Sequence, residues 1–209
     1  APGLRTMTKL IFPKSTISHL DVDGAVAFTI DDGFCGTDNK DGCMIEDIRL
    51  LFEEYNAKAT FFVTGTHCEN AKTEDVMNLL NDGHELANHN MKDWSYKNYS
   101  KVEFMYDMDK TNSILSQYTI NSLPYYRAPF GHLSKTMDQV LEERSMKHIV
   151  SDAFANDTVI PDPKWISKYI LKRVKPGSIV LIHMPEIGVR EWNYEAMRLT
   201  LEGLNNMGL

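Results

Sequence analysis

The sequence predicts an α/β fold in which parallel strands alternate with helices through right-handed crossovers. Three observations predict it. Short β-rich runs alternate with longer segments of helical periodicity throughout the chain. No repeat, low-complexity tract or Pro/Gly/Ser-rich linker divides them, which points to one domain over residues 1–209. Ionisable residues fall at the C-terminal ends of five of the runs, as they do where a barrel gathers its active site on one rim. Periodicity alone leaves an α/β barrel and a doubly wound sheet both open.

The elements follow in order. "AVAFTI" (25–30) is an apolar run bounded by Gly24 and Asp31-Asp32, which reads as a buried strand. Residues 44–57 space Ile45, Ile48, Leu51, Phe52 and Tyr55 at helical intervals. "ATFFVTG" (59–65) is a second strand. A helix follows over 73–83, with Thr73 placed to cap it and Gly83 to end it. "HELANH" (84–89) is a short strand and 101–118 a helix. "LPYYRAP" is extended, because Pro129 biases Ala128 away from helix. Residues 133–146 are helical, "HIVSD" (148–152) is a strand, and 163–174 form a helix with Pro163 near its start. "GSIVLIH" (177–183) is a β-branched strand and 191–207 the last helix. The alternation leads us to expect one further strand beyond Leu209.

Composition narrows the function. The chain has 209 residues, 43% hydrophobic and 24% charged, which is ordinary for a globular domain with a real core. No apolar run approaches the ~18 residues that cross a bilayer. A net charge of -7 argues against a nucleic-acid partner, which needs a basic face. The chain begins without a basic segment and apolar h-region, so a signal peptide is either absent or already removed. Cys35 and Cys43 bracket a polar loop that a disulfide could staple, with Cys68 left over; a fully reduced set is equally compatible with the sequence. Asn98 and Asn156 head Asn-x-Ser/Thr sequons, which matter only in a secreted protein.

The strand ends carry the chemistry: Asp31-Asp32, His89, Arg127, then Asp152 and Asp157, then His183. One Asp of the pair, with His89 and Asp93, makes a candidate set for a divalent ion, while the other Asp stands beside as general base. His89 and Asp93 are four apart and share a face if that segment makes one helical turn. Arg127 would keep the base ionised. His183 would protonate a leaving group, with Asp157 holding its tautomer. His84 and Glu85 read as loop stabilisers and His132 as exposed. Trp94, Tyr96 and Trp192 are candidates for sugar stacking or for packing.

These motifs resemble the NodB-type polysaccharide deacetylases, carbohydrate esterase family 4, which includes chitin and peptidoglycan deacetylases. "TIDDG" (29–33) is similar to T-F-D-D-G, "GHELANHNMKD" (83–93) to G-H-E-[IL]-x-N-H-[ST]-x-x-H, "RAPFG" (127–131) to R-x-P-[FY]-G, and "LIH" (181–183) to L-x-H. The resemblance implies a distorted (β/α) barrel. It implies Asp31 as base, Asp32 and His89 as metal ligands, and Arg127 as the residue orienting the base. It further implies the Phe130 N–H in an oxyanion hole, Leu181 lining the acetyl pocket and His183 as general acid. The implied cofactor is a divalent metal, zinc first, with cobalt or manganese as alternatives. The implied reaction is hydrolysis of N-acetyl groups on a chitin-like GlcNAc polysaccharide, by a monomer that is secreted or held at the cell wall.

The chain departs from the pattern in places. Asp93 stands where the family has a second histidine, and an Asp-His-Asp set is less zinc-like and would tolerate harder ions such as Mn²⁺ or Mg²⁺. "SDAFANDT" (151–158) matches W-x-x-D-x-x-D-W only loosely: Asp157 is kept, while Ser151 and Thr158 replace the tryptophans and Phe154 an aspartate. Phe34 and Asn90 are smaller departures. Two other readings therefore stand beside the deacetylase: an inactive glycan-binding or structural member of the family, and a hydrolase of another acyl or phosphoryl substrate.

Overall fold

The computed structural model describes residues 3–209, so the first two residues of the expected 1–209 domain lie outside it. The first half of the chain forms α1 (Leu4–Ile11), β1 (Ala27–Gly33), α2 (Ile45–Glu54), β2 (Ala59–Val63), α3 (Gly65–Cys68), α4 (Thr73–Asn81), β3 (Glu85–Asn88) and α5 (Lys101–Leu115). The second half forms β4 (Tyr125–Tyr126), α6 (Lys135–Glu143), β5 (Lys147–His148), β6 (Ala153–Phe154), α7 (Pro163–Leu171), β7 (Ile179–His183) and α8 (Trp192–Asn206).

All seven strands are parallel, in the order β5-β4-β3-β2-β1-β7-β6. β5 and β6 stand at opposite edges of that order, yet only residues 149–152 separate them in sequence. Such a tether reaches at most about 18 Å, whereas a flat sheet of seven strands is about 29 Å wide. The sheet must therefore curl until its edges approach, giving the distorted half-barrel that the resemblance implied. The N-terminal segment straps the remaining gap. Ile17 pairs with Ile149 beyond β5, and His19 with Ser178 at the start of β7. The Leu20 N–H donates to the Gly177 carbonyl at 2.7 Å.

The predicted helices and strands recur with trimmed ends, and several details differ. Most of the strand predicted over 148–152 is instead the connection from β5, which ends at His148, to β6, which starts at Ala153 on the opposite edge, because the chain crosses the barrel opening there. Helix α1 falls where no element was predicted. Thr73 is the first residue of α4 and makes no capping hydrogen bond. Apolar faces of α2, α4, α7 and α8 pack on the sheet around Phe28, Ile30, Phe52, Phe61 and Ile182, all buried. A second cluster, with Tyr96, Phe104, Met108, Tyr126 and Met137, seats α5 and α6. Tyr96 is fully buried, so it is a core residue, not a stacking platform for sugars.

Candidate active site

Two adjacent carboxylates on a regular strand would point to opposite faces. Here the register of β1 against β2 shifts between Asp31 and Gly33, and Asp32 adopts φ 62. This bulge turns both side chains toward the same rim, a common device beside active sites. Both are buried, and both face His89 Nε2, Asp32 Oδ1 at 3.3 Å and Asp31 Oδ2 at 3.8 Å.

Arg127, just after β4, donates to Asp31 Oδ1 at 2.6 Å and to Thr29 Oγ1 at 2.9 Å. Its Nε donates to the Ile149 carbonyl, and its guanidinium lies over the Phe62 ring at 4.0 Å. Asp31 Oδ1 is thus committed, which leaves Oδ2 to accept a proton. His89, just after β3, donates from Nδ1 to the Arg127 carbonyl at 2.7 Å, which fixes its tautomer with Nε2 toward the carboxylates. Burial opposes its charge, but Asp31 and Asp32 outweigh burial and push its pKa up. Burial would also raise Asp32, yet the His89 hydrogen bond and the charges of His183, His89 and Arg190 hold it far below the usual carboxylate range. Phe130 sits in a 3-10 turn (Pro129–Gly131) with φ 57, and its N–H donates to no other group among the described residues. That amide is available to an oxyanion at the rim.

His183 ends β7 directly opposite Asp31 in the strand register. Its Nδ1 hydrogen-bonds Asp157 Oδ1 at 2.9 Å, and its backbone N–H donates to Oδ2 at 2.7 Å. Burial disfavours the imidazolium, but the Asp157 bond and charge dominate and push its pKa up to about 9. At neutral pH the ring is a proton donor. Asn193, in the first turn of α8, secures Asp157 Oδ2 at 2.9 Å, and Trp192 Nε1 donates to the Asp157 carbonyl. Trp192 therefore packs behind the acid.

A pocket of about 330 Å³ opens beside these groups, with Asp31, Arg127 and His183 at its polar end. Leu181 lines it, together with Phe154 and with Met7, Ile11 and Phe12 from α1 and its end. Ser151, at one of the tryptophan positions, is buried and donates to the Ile179 carbonyl. The apolar wall is thus built by α1 and Phe154.

Not every predicted residue joins the site. Asp152 binds Arg5 of α1 at 2.6 Å and the Ile179 N–H at 2.9 Å, so it anchors α1 behind the rim. Residues 89–93 make a bend, not a helical turn: Asn90 has φ 63 and its side chain is drawn to Asp107 at 2.7 Å. Asp93 consequently does not share a helical face with His89; it lies at the solvent-facing mouth of the site, where partial burial and the charge of Asp32 push its pKa up. Asp32 Oδ2 is held instead by Arg190 at 2.9 Å. Among the described residues, no three His, Cys, Asp or Glu side chains are spaced to hold a metal ion. The residues as arranged do not fit a resident divalent ion. His84 accepts the Ala59 N–H and packs against Phe52 and Phe61, and His132 is exposed. Arg190, Asn193 and the α1 residues were not anticipated, because no strand-end pattern marks them. Cys35 and Cys43 are joined in a disulfide, and Cys68 is free and buried.

A buried carboxylate clamped by arginine and an imidazolium clamped by aspartate share the C-terminal rim of a parallel α/β barrel, an arrangement suited to acid–base chemistry. The chain belongs to the polysaccharide deacetylase family, carbohydrate esterase family 4, whose model matches residues 21–149. A chitooligosaccharide deacetylase of Bradyrhizobium is 27% identical over 169 residues, covering 78% of this chain and 73% of the relative. The fold superposes on a peptidoglycan N-acetylglucosamine deacetylase with a TM-score of 0.80 at 22% identity, covering 92% of this chain and 87% of that one. It also matches an acetyl xylan esterase from Clostridium thermocellum, a cobalt complex, with a TM-score of 0.74 at 24% identity, covering 88% and 84%.

Proposed function

We propose that the chain removes N-acetyl groups from a chitin-like GlcNAc polysaccharide, as a secreted or cell-wall monomer. The observation that carries this reading is the pairing of Asp31 with Arg127 across the rim from His183 with Asp157. Asp31 Oδ2 takes a proton from a water whose oxygen attacks the acetamide carbonyl carbon. The Phe130 N–H receives the developing oxyanion. His183 delivers its proton to the nitrogen as the C–N bond breaks, leaving acetate and a free amine. The acetyl methyl enters the apolar pocket over Leu181. The exposed side chains of Asn98 and Asn156 allow glycans at both sequons, in keeping with secretion.

The test is acetate release from N-acetylglucosamine oligomers, without added metal and with Zn²⁺, Co²⁺ or Mn²⁺. Wild type should release acetate, and Asp31→Asn or His183→Asn should lower kcat by at least about 10²-fold. No acetate under any condition overturns the proposal. The ion pair between Arg190 and Asp32 favours a second reading, a glycan-binding protein without turnover. Saturable oligomer binding with no acetate released would support it.

A further inference from the structure

Each buried carboxylate of the centre already has a cation of its own. Asp31 is paired with Arg127 at 2.6 Å, Asp157 with His183 at 2.9 Å, and Asp32 with Arg190 at 2.9 Å. The first two pairs serve the proposed base and acid. The third occupies the carboxylate that the resemblance assigned to a metal.

Arg190 is held there by its surroundings. It sits in the loop between β7 and α8, and its backbone adopts φ 53, a region that arginine rarely takes and that tends to mark functional positions. The loop is pinned to the disulfide-closed loop 35–43. Buried Glu186 accepts the Gly36 N–H at 2.6 Å and the Asn39 amide at 3.3 Å, and the Ile187 N–H donates to the Gly42 carbonyl. On the other side the Asn193 N–H donates to the Arg190 carbonyl at 2.9 Å. The guanidinium Nε is buried and finds no partner among the described residues, while Nη1 donates to Asp32 and the charge of Asp93 lies nearby.

We infer that Arg190 is the resident cation of this centre, standing on Asp32 where an exchangeable divalent ion would otherwise bind. A guanidinium is charged at every accessible pH and cannot be removed by a chelator. With Oδ2 bound to Arg190 and Oδ1 facing His89, Asp32 can offer an ion only lone pairs that compete with these two groups, and Asp93 does not complete a set. The site keeps its positive charge beside the base without metal.

The test measures zinc on the purified chain, by elemental analysis after dialysis against Zn²⁺ and by competition with a chelating dye, alongside circular dichroism. Wild type should retain well under one zinc per chain. Arg190→Gln and Arg190→Met should each bind zinc at least about tenfold more tightly, because the competing charge is gone. Arg190→Lys, which keeps the charge, should stay near wild type. A wild type holding one tight zinc, or neutral variants with wild-type affinity, would overturn the inference. These readouts need no turnover. The chelator arm does rest on the proposed deacetylase: EDTA should leave the wild-type rate unchanged. A rate abolished by EDTA sinks the role of Arg190 and spares the deacetylase. Acetate release absent throughout sinks the deacetylase, and the zinc affinities then judge Arg190 alone.

Discussion

His183 shows how one partner sets the chemistry of a group. An isolated imidazole has a pKa near 6.5, and burial lowers it, yet Asp157 raises this one to about 9. The acid form is therefore complete at neutral pH and is lost as pH rises through about 9. Acetate release by the proposed enzyme should fall along an alkaline limb at that pH. Asp157→Asn keeps the shape but removes the charge. It should move the limb toward neutral pH and lower kcat by about 10²–10⁴-fold. A pH–rate profile of the variant with its limb still at 9 would show that another group is the acid. Asp31 and Asp32 make the complementary point. Their adjacency was plain in the sequence, but the bulge that turns both to one rim belongs to the pairing of β1 with β2.

The strap formed by residues 17–20 is the least conventional element, and it closes a gap that the sheet leaves open. Its close approach to the turn before β7 depends on Gly177, which has φ 79 and donates its N–H to the Ala25 carbonyl. A Cβ at that position would run into the Leu20 carbonyl oxygen. Gly177→Ala should cost about 2 kcal/mol or more, from backbone strain and displacement of the strap. For a chain of this size a thermal melt should show a drop of roughly 4–8 °C. An unchanged Tm would mean that the strap contributes nothing to closure. The main helices and strands were legible because their periodicity is local, and the Ser100–Glu103 capping box at the start of α5 reinforces one of them. Helix α1 was not legible. It is short, and its placement rests on Arg5 reaching Asp152, far away in sequence.

The whole molecule stores two neutral histidines in its interior. Burial, then the charge of Lys58, pulls His84 down to about 4. Burial, then the charges of Arg127 and His89, pulls His148 down to about 3. Unfolded, both would take up protons near pH 6.5. Their contribution to stability is therefore complete above pH 6.5 and declines as pH falls toward about 4 and about 3. The slope is up to about 1.4 kcal/mol per pH unit for each histidine. Urea midpoints measured from pH 7 to pH 4 should fall less steeply in His84→Gln than in wild type. Equal slopes would show that His84 titrates normally in the folded protein. Carboxylates add to acid unfolding in both proteins, so the comparison isolates the histidine.

The sequence by itself determined the α/β alternation, the residues that end each strand and the family they resemble. Each of those signals lies within a few residues: a periodicity, a Gly or Pro boundary, or a motif such as "TIDDG" or "LIH". The tertiary structure alone decided the rest. It made the run after His148 the crossing between two edges of the sheet, joined Cys35 to Cys43, and brought α1 over the pocket. It also kept Asp93 off the helical face of His89 and set Arg190 on Asp32, 158 residues away in the chain. Those outcomes depend on which strand neighbours which and how far the sheet curls. Both are fixed by packing between segments that no local pattern relates.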